Sequence, residues 1–193
     1  MALRTLSSRL ARLRGRRRWL HPVGYGFRAV LEVPGGAGTG NALLDEPGTH
    51  RAVARVSKAL GTPPGVIDAW GLAFTLPDVG QDVLVTTSVL GRVPFLAPGG
   101  PWARPYSSVL DHRAGSWRGA LGAEPLRAER AFALTLGPGG RRVATLRLGD
   151  PLDPAETERL RFNPWHAGGG IVPVGRIQER RRPVYDGSQA ARP

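Results

Sequence analysis

The chain of 193 residues contains no cysteine. Disulfides, thiolate nucleophiles, zinc fingers and Cys-ligated clusters are excluded at once. Lysine is almost missing as well: Lys58 is the only one, so the basic charge is carried by arginine. No stretch approaches the roughly 20 apolar residues that cross a bilayer as a helix. The four histidines, His21, His50, His112 and His166, are scattered, without HxxxH or HxD spacing, and no GxSxG occurs. Zinc-type hydrolysis and a serine nucleophile on an elbow therefore lack their usual signatures.

What is present argues for one packed domain. Hydrophobic residues make up 41% of the chain, too many for disorder to be the default. The 27 glycines and 18 prolines favour short elements joined by turns over long helices. The net charge of +12 is unevenly placed. Residues 1 to 18 hold seven arginines and no acid, so the other 20 basic residues face 15 acids, a net +5. The chain thus divides into a basic arm, residues 1–17, and a mildly basic domain, residues 18–193. Leu3, Leu6, Leu10 and Leu13 lie at helical spacing among the arm's arginines, the pattern of a basic amphipathic helix. Such an arm suits nucleic acid, a membrane surface or an acidic ligand, and equally well open solvent. Arg16-Arg17-Arg18 has the look of a twin-arginine export signal, but His21, Pro22 and Gly24 stand where its apolar stretch belongs, so the expected location is cytoplasmic.

From Gly26 on, alternation replaces helical spacing. Strands are expected at Phe27–Val33, Arg51–Ser57, Ala69–Leu76 and Val83–Ser88. Ala131–Leu136 and Arg142–Leu148 flank Gly137-Pro138-Gly139-Gly140 as a hairpin. Asp153-Pro154-Ala155-Glu156 opens a short helix with a capping residue and proline at its first position. Two more helical segments, Ile177–Arg182 and Tyr185–Arg192, are separated by Pro183, and 91–122 reads as loop. The sum is an α+β chain: an antiparallel sheet or barrel with short helices at both ends.

Gly35-Gly36-Ala37-Gly38-Thr39-Gly40 has the glycine density of a phosphate-binding loop, but no Gly-Lys-Ser/Thr ending and no long helix follows, so a plain turn is expected. Arg181 precedes Tyr185 by four residues, so on a helix they share a face. A guanidinium there would stabilise the phenolate, a competent axial ligand for ferric haem. His21 lies before a glycine-containing turn at a strand start, suited to project into a pocket or to sit satisfied in a core.

Taken in chain order, these pieces resemble the catalase family. The first motif is His21-Pro22-Val23-Gly24-Tyr25-Gly26-Phe27 with Arg18 three before the histidine. The second is Arg55-Val56-Ser57 followed by Asp68-Ala69-Trp70-Gly71-Leu72-Ala73-Phe74. The third is Arg181-x-x-x-Tyr185 with Arg192 seven beyond the tyrosine. Tyr106-Ser107-Ser108 through Gly115 and Phe162-Asn163-Pro164-Trp165-His166 are similar to short catalase-related haem proteins, and the likeness spans most of 18–192. The resemblance implies a trimmed catalase-type barrel that binds haem and consumes hydrogen peroxide or an organic peroxide. It gives His21 the role of distal acid–base, oriented by Ser57. Tyr185 becomes the iron ligand, with Arg181 as its charge partner. Arg18, Arg55 and Arg192 fall at the haem propionates and Leu20 against the distal haem face. It leaves the oligomeric state open, a homo-oligomer included. One departure bears on activity: catalases carry a distal asparagine where this chain has Thr86-Thr87-Ser88. Slower peroxidase-type turnover, or a non-catalytic catalase-like binding module, are the readings that departure leaves room for. A basic nucleic-acid- or membrane-interacting protein is the alternative from a different class.

Overall fold

The computed structural model describes residues 21–63 and 65–190, with side chains as far as Pro183. The described residues are mostly antiparallel β. The strands are β1 (Val23–Val33), β2 (Gly48–Lys58), β3 (Trp70–Leu76), β4 (Gln81–Val89), β5 (Val93–Pro94), β6 (Tyr106–Ser107), β7 (His112–Ala114), β8 (Trp117–Gly119), β9 (Leu121–Leu126), β10 (Ala131–Leu136), β11 (Arg141–Pro151) and β12 (Ile171–Pro173). Helices are short: α1 (Ala42–Asp45), α2 (Pro154–Arg159) and a longer terminal α3 (Arg176–Ala190). Strands β1, β2, β3, β4, β6, β9, β10 and β11 pair in that order, and β11 returns to β1, closing an eight-stranded meander barrel. Closure leaves the ring no free edge. Strand β5 pairs on β4 outside the ring, and β12, β7 and β8 form a separate small sheet.

Alternation decides what fills the barrel. On β2, Ala52, Ala54 and Val56 join the core; on β3, Leu72, Phe74 and Leu76; on β4, Val83 and Val85. These match the expected strands, and the glycine-rich hairpin joins β10 to β11 as read. One end is plugged by aromatics: Trp102 stacks on Phe132 with ring centres 4.8 Å apart, and Tyr106 meets Phe132 edge-on at 5.5 Å. The other end is stopped by Leu43 and Leu44 of α1 and by Gln81. The Gln81 amide donates to the carbonyls of Asp82, His166 and Ile171 and accepts from the Ile171 amide.

Three expectations need correction. The stretch 91–122 is not only loop: Tyr106 and Ser107, both fully buried, supply the stave that closes the ring between β4 and β9. A two-residue strand is too short for periodicity to announce it. The terminal helices are one: α3 runs through Pro183 without a break. Pro183 is exposed, so the carbonyl whose intrahelical donor it removes can be hydrated, which lowers the penalty of an interior proline. Finally, helix is a minor component among the described residues, so "mostly antiparallel β" describes them better than α+β. The arm helix and Arg18, Leu20 and Arg192 lie outside the described residues, as does the ring of Tyr185.

Candidate functional site

The alternation that sends Ala54 and Val56 inward sends Arg55 and Ser57 to the outer face of β2. Both are nevertheless buried, Arg55 to 2% exposure. The cause is His21. Its backbone N–H donates to the Ala59 carbonyl at 2.8 Å, which lays the residue across the outside of the barrel with φ of 57°. Its Nδ1 is 3.0 Å from Ser57 Oγ, and its carbonyl accepts from Arg55 Nη2 at 3.0 Å. Ser57 is flanked by glycine on both sides in register, Gly24 on β1 and Gly71 on β3. A Cβ on Gly71 would fall 2.5 Å from His21 Cε1, and one on Gly24 would fall 2.7 Å from the Arg55 guanidinium carbon. The two missing side chains are therefore the slots in which the imidazole and the guanidinium lie. The wall continues with small residues: Thr86 beside Gly71 and Ala73 beside Arg55. Helix α2 closes the neighbouring face of β1. It is capped as expected, Asp153 accepting from the Ala155 amide at 2.7 Å with Pro154 first in the helix.

The structure thus brings His21, Ser57 and Arg55 together. Arg181 lies exposed on α3, and Tyr185 follows it one turn later on the same helix. The start of α3 is anchored elsewhere on the barrel: Gln178 donates to the Asp111 carbonyl at 3.4 Å, and Arg182 sits over the Trp165 ring at 4.9 Å. The hydroxyls at the position of the catalase asparagine are engaged in the wall itself. Thr87 Oγ1 accepts from the Trp70 amide at 3.0 Å and donates to the Phe95 carbonyl at 3.1 Å. Thr86 Oγ1 donates to the Trp70 carbonyl at 3.1 Å. Both hydroxyl protons are thus engaged with backbone carbonyls of the wall.

The glycine-rich loop resolves as a turn that binds its own carboxylate. Asp45 accepts from the amides of Thr39 and Gly40 and from the Thr39 hydroxyl, so the anion position is filled from within. The Thr39 amide, chief among these donors, holds the Asp45 carboxyl below the ordinary aspartate range. A pair the sequence did not reveal is Asp82 with His166: Nδ1 is 3.1 Å from the Asp82 carboxylate, which also takes the Asn163 amide. The partners are 84 residues apart, and no local pattern marks them. Among the described residues no three His, Asp or Glu side chains converge to hold a bare metal ion.

Fold and site define a class: a closed antiparallel meander barrel carrying a hydroxyl-oriented imidazole and a buried guanidinium on its outer wall. No protein-family model matches the chain, and no curated protein does.

Proposed function

We propose that this protein is a haem-dependent peroxide-consuming oxidoreductase in which His21 is the acid–base. The observation that carries the reading is the seating of His21: imidazole on the bare backbone of Gly71, Nδ1 on Ser57, main chain on Arg55. An imidazole whose Nδ1 meets a hydroxyl and whose main chain is held by a guanidinium is fixed in orientation. A proton relay between the two oxygens of a peroxide needs that arrangement.

The donor types suit the cofactor the resemblance implies, since a guanidinium pairs with a propionate. In this structure Arg55 is 2% exposed and the Gly24 and Gly71 slots hold the guanidinium and the imidazole, so a planar ring would approach this wall only after Arg55 and His21 shift. Tyr185 would hold the iron, and Arg181, one turn before it on α3, would favour its ionised form. Haem, when bound, would supply the redox chemistry of peroxide cleavage, and the chain would supply placement, Tyr185 as the ligand and His21 for the proton transfer.

The second reading, a catalase-like module that binds without efficient turnover, is favoured by the engaged hydroxyls of Thr86 and Thr87. One experiment separates the two. The full chain is produced with haem supplied, and its spectrum and peroxide decay are recorded beside Tyr185→Phe and His21→Ala. A haem-loaded protein that loses its tyrosinate spectrum in Tyr185→Phe, and its peroxide decay in His21→Ala, supports the enzyme. Haem binding with decay no faster than free haemin supports the module. Haem uptake unchanged in Tyr185→Phe removes Tyr185 as the ligand.

A further inference from the structure

The small sheet outside the ring has three residues in each of its strands, with β7 in the middle. The first residue of β7, His112, pairs with Gly119 of β8 on one side and with Pro173 of β12 on the other, and it is buried. Its ring is held one way: Nδ1 is 3.1 Å from the Leu110 carbonyl. A carbonyl only accepts, so Nδ1 carries the proton and Nε2 of the neutral ring carries none. Nε2 meets no protein acceptor among the described residues.

The residue before it holds the root of α3. The Asp111 carbonyl accepts from the Val174 amide at 3.0 Å and from Gln178 Nε2 at 3.4 Å. The Asp111 carboxylate is itself paired with Arg92, from between β4 and β5, and with Arg118 of β8. Against the imidazole β12 brings Pro173 and α3 brings Gln178, both uncharged. Burial outweighs the Leu110 carbonyl and the Asp111 charge and holds the His112 ring below its ordinary value of 6.5.

We propose that neutral His112 latches α3 to the barrel, and that mild acid releases the helix while the barrel stays closed. A second proton must go to Nε2, which puts a cation into a seam that has no acceptor for it. Opening the seam hydrates the ring. Three strands of three residues open at less cost than a ring with staves of up to eleven. The open form takes the proton more readily than the latched one. The latch is therefore full above pH 6.5 and weakens as the pH falls below it. On the reading that Tyr185 holds iron, release of α3 withdraws the ligand; the latch itself stands without that reading.

The test is NMR-detected hydrogen exchange on the full chain, without added haem, from about pH 7.5 to about pH 5. After correction for intrinsic rates, the Val174 amide and the β7–β12 amides should exchange up to about tenfold faster for each pH unit below 6.5, while the β1–β2 ladder stays protected. His112→Asn keeps a neutral donor at the Nδ1 position, and His112→Phe keeps a neutral ring. In either variant the acid-dependent rise should vanish. His166→Gln should keep the rise, although His166 pairs with Asp82 and follows the Trp165 that Arg182 of the same helix covers. Protection of the Val174 amide that does not change down to the lowest pH overturns the proposal. So does a rise that survives in the His112 variants or disappears in His166→Gln. A His112 ring that titrates at or above pH 6.5 with β12 still paired overturns it on wild type alone, even if neither His112 variant folds.

Discussion

Arg55 and Ser57, two residues apart on one strand, grip the two ends of the same residue: the guanidinium takes the His21 carbonyl and the hydroxyl meets the His21 ring. One β-strand repeat thus fixes both the main chain and the side chain of the candidate acid–base. Ser57→Ala keeps the first grip and removes the second. Haem content should stay unchanged while peroxide decay drops by roughly tenfold to a hundredfold, the scale of a misoriented acid–base. The stability cost should be about 1 kcal/mol, that of one hydrogen bond, read from urea unfolding.

Gly71→Ala tests the slot itself. The new methyl would stand where the imidazole edge lies, so His21 must lift off the wall. A loss of about 1–3 kcal/mol is expected, as for overpacking of a fitted contact. The His21 ring signals in an NMR spectrum should move, while those of His166 stay in place.

Asp45→Asn should loosen the glycine-rich turn without touching the barrel. The carboxylate that gathers the Thr39 and Gly40 amides becomes a weaker, neutral acceptor, so limited proteolysis should cut within 35–41 sooner than in wild type. No gain in affinity for inorganic phosphate should accompany it if the loop is only a turn.

Asp68 gives the β2–β3 connection an acid limit. Burial pushes its carboxyl up, but the amides of Leu60 and Thr62 and the Thr62 hydroxyl outweigh that and hold it below its ordinary value of 3.8. The folded form therefore binds its proton less readily than the unfolded one. The stabilisation is full above pH 3.8 and is lost as the pH falls through the lower folded value. In Asp68→Asn the β2–β3 connection should exchange its amides faster at neutral pH, and the acid-induced part of that change should disappear.

The fold was legible where one face of a strand is buried and the other is not. Ala52, Ala54 and Val56 alternate with Arg55 and Ser57, and the hydrophobic half is the core. What the alternation cannot tell is that the polar half is buried too, because His21 covers it from 36 residues away. The glycines that make that cover possible, Gly24 and Gly71, read from sequence only as a turn and a strand residue; their meaning appears once the register sets them on either side of Ser57. Pro183 misled for a local reason: a proline inside a helix is costly, but the cost shrinks where water can reach the carbonyl left behind. The Asp82–His166 pair had no sequence signal, since contacts between distant segments leave none.

The stave made of Tyr106 and Ser107 is the shortest in the ring, yet β4 and β9 depend on it to stay joined. A cylinder opens along its narrowest seam. Hydrogen–deuterium exchange should therefore begin there, ahead of the long ladder that unites β1 and β2. The aromatic stopper of Trp102 and Phe132 lies beside that seam through Tyr106, so the interior would first meet solvent from the same side.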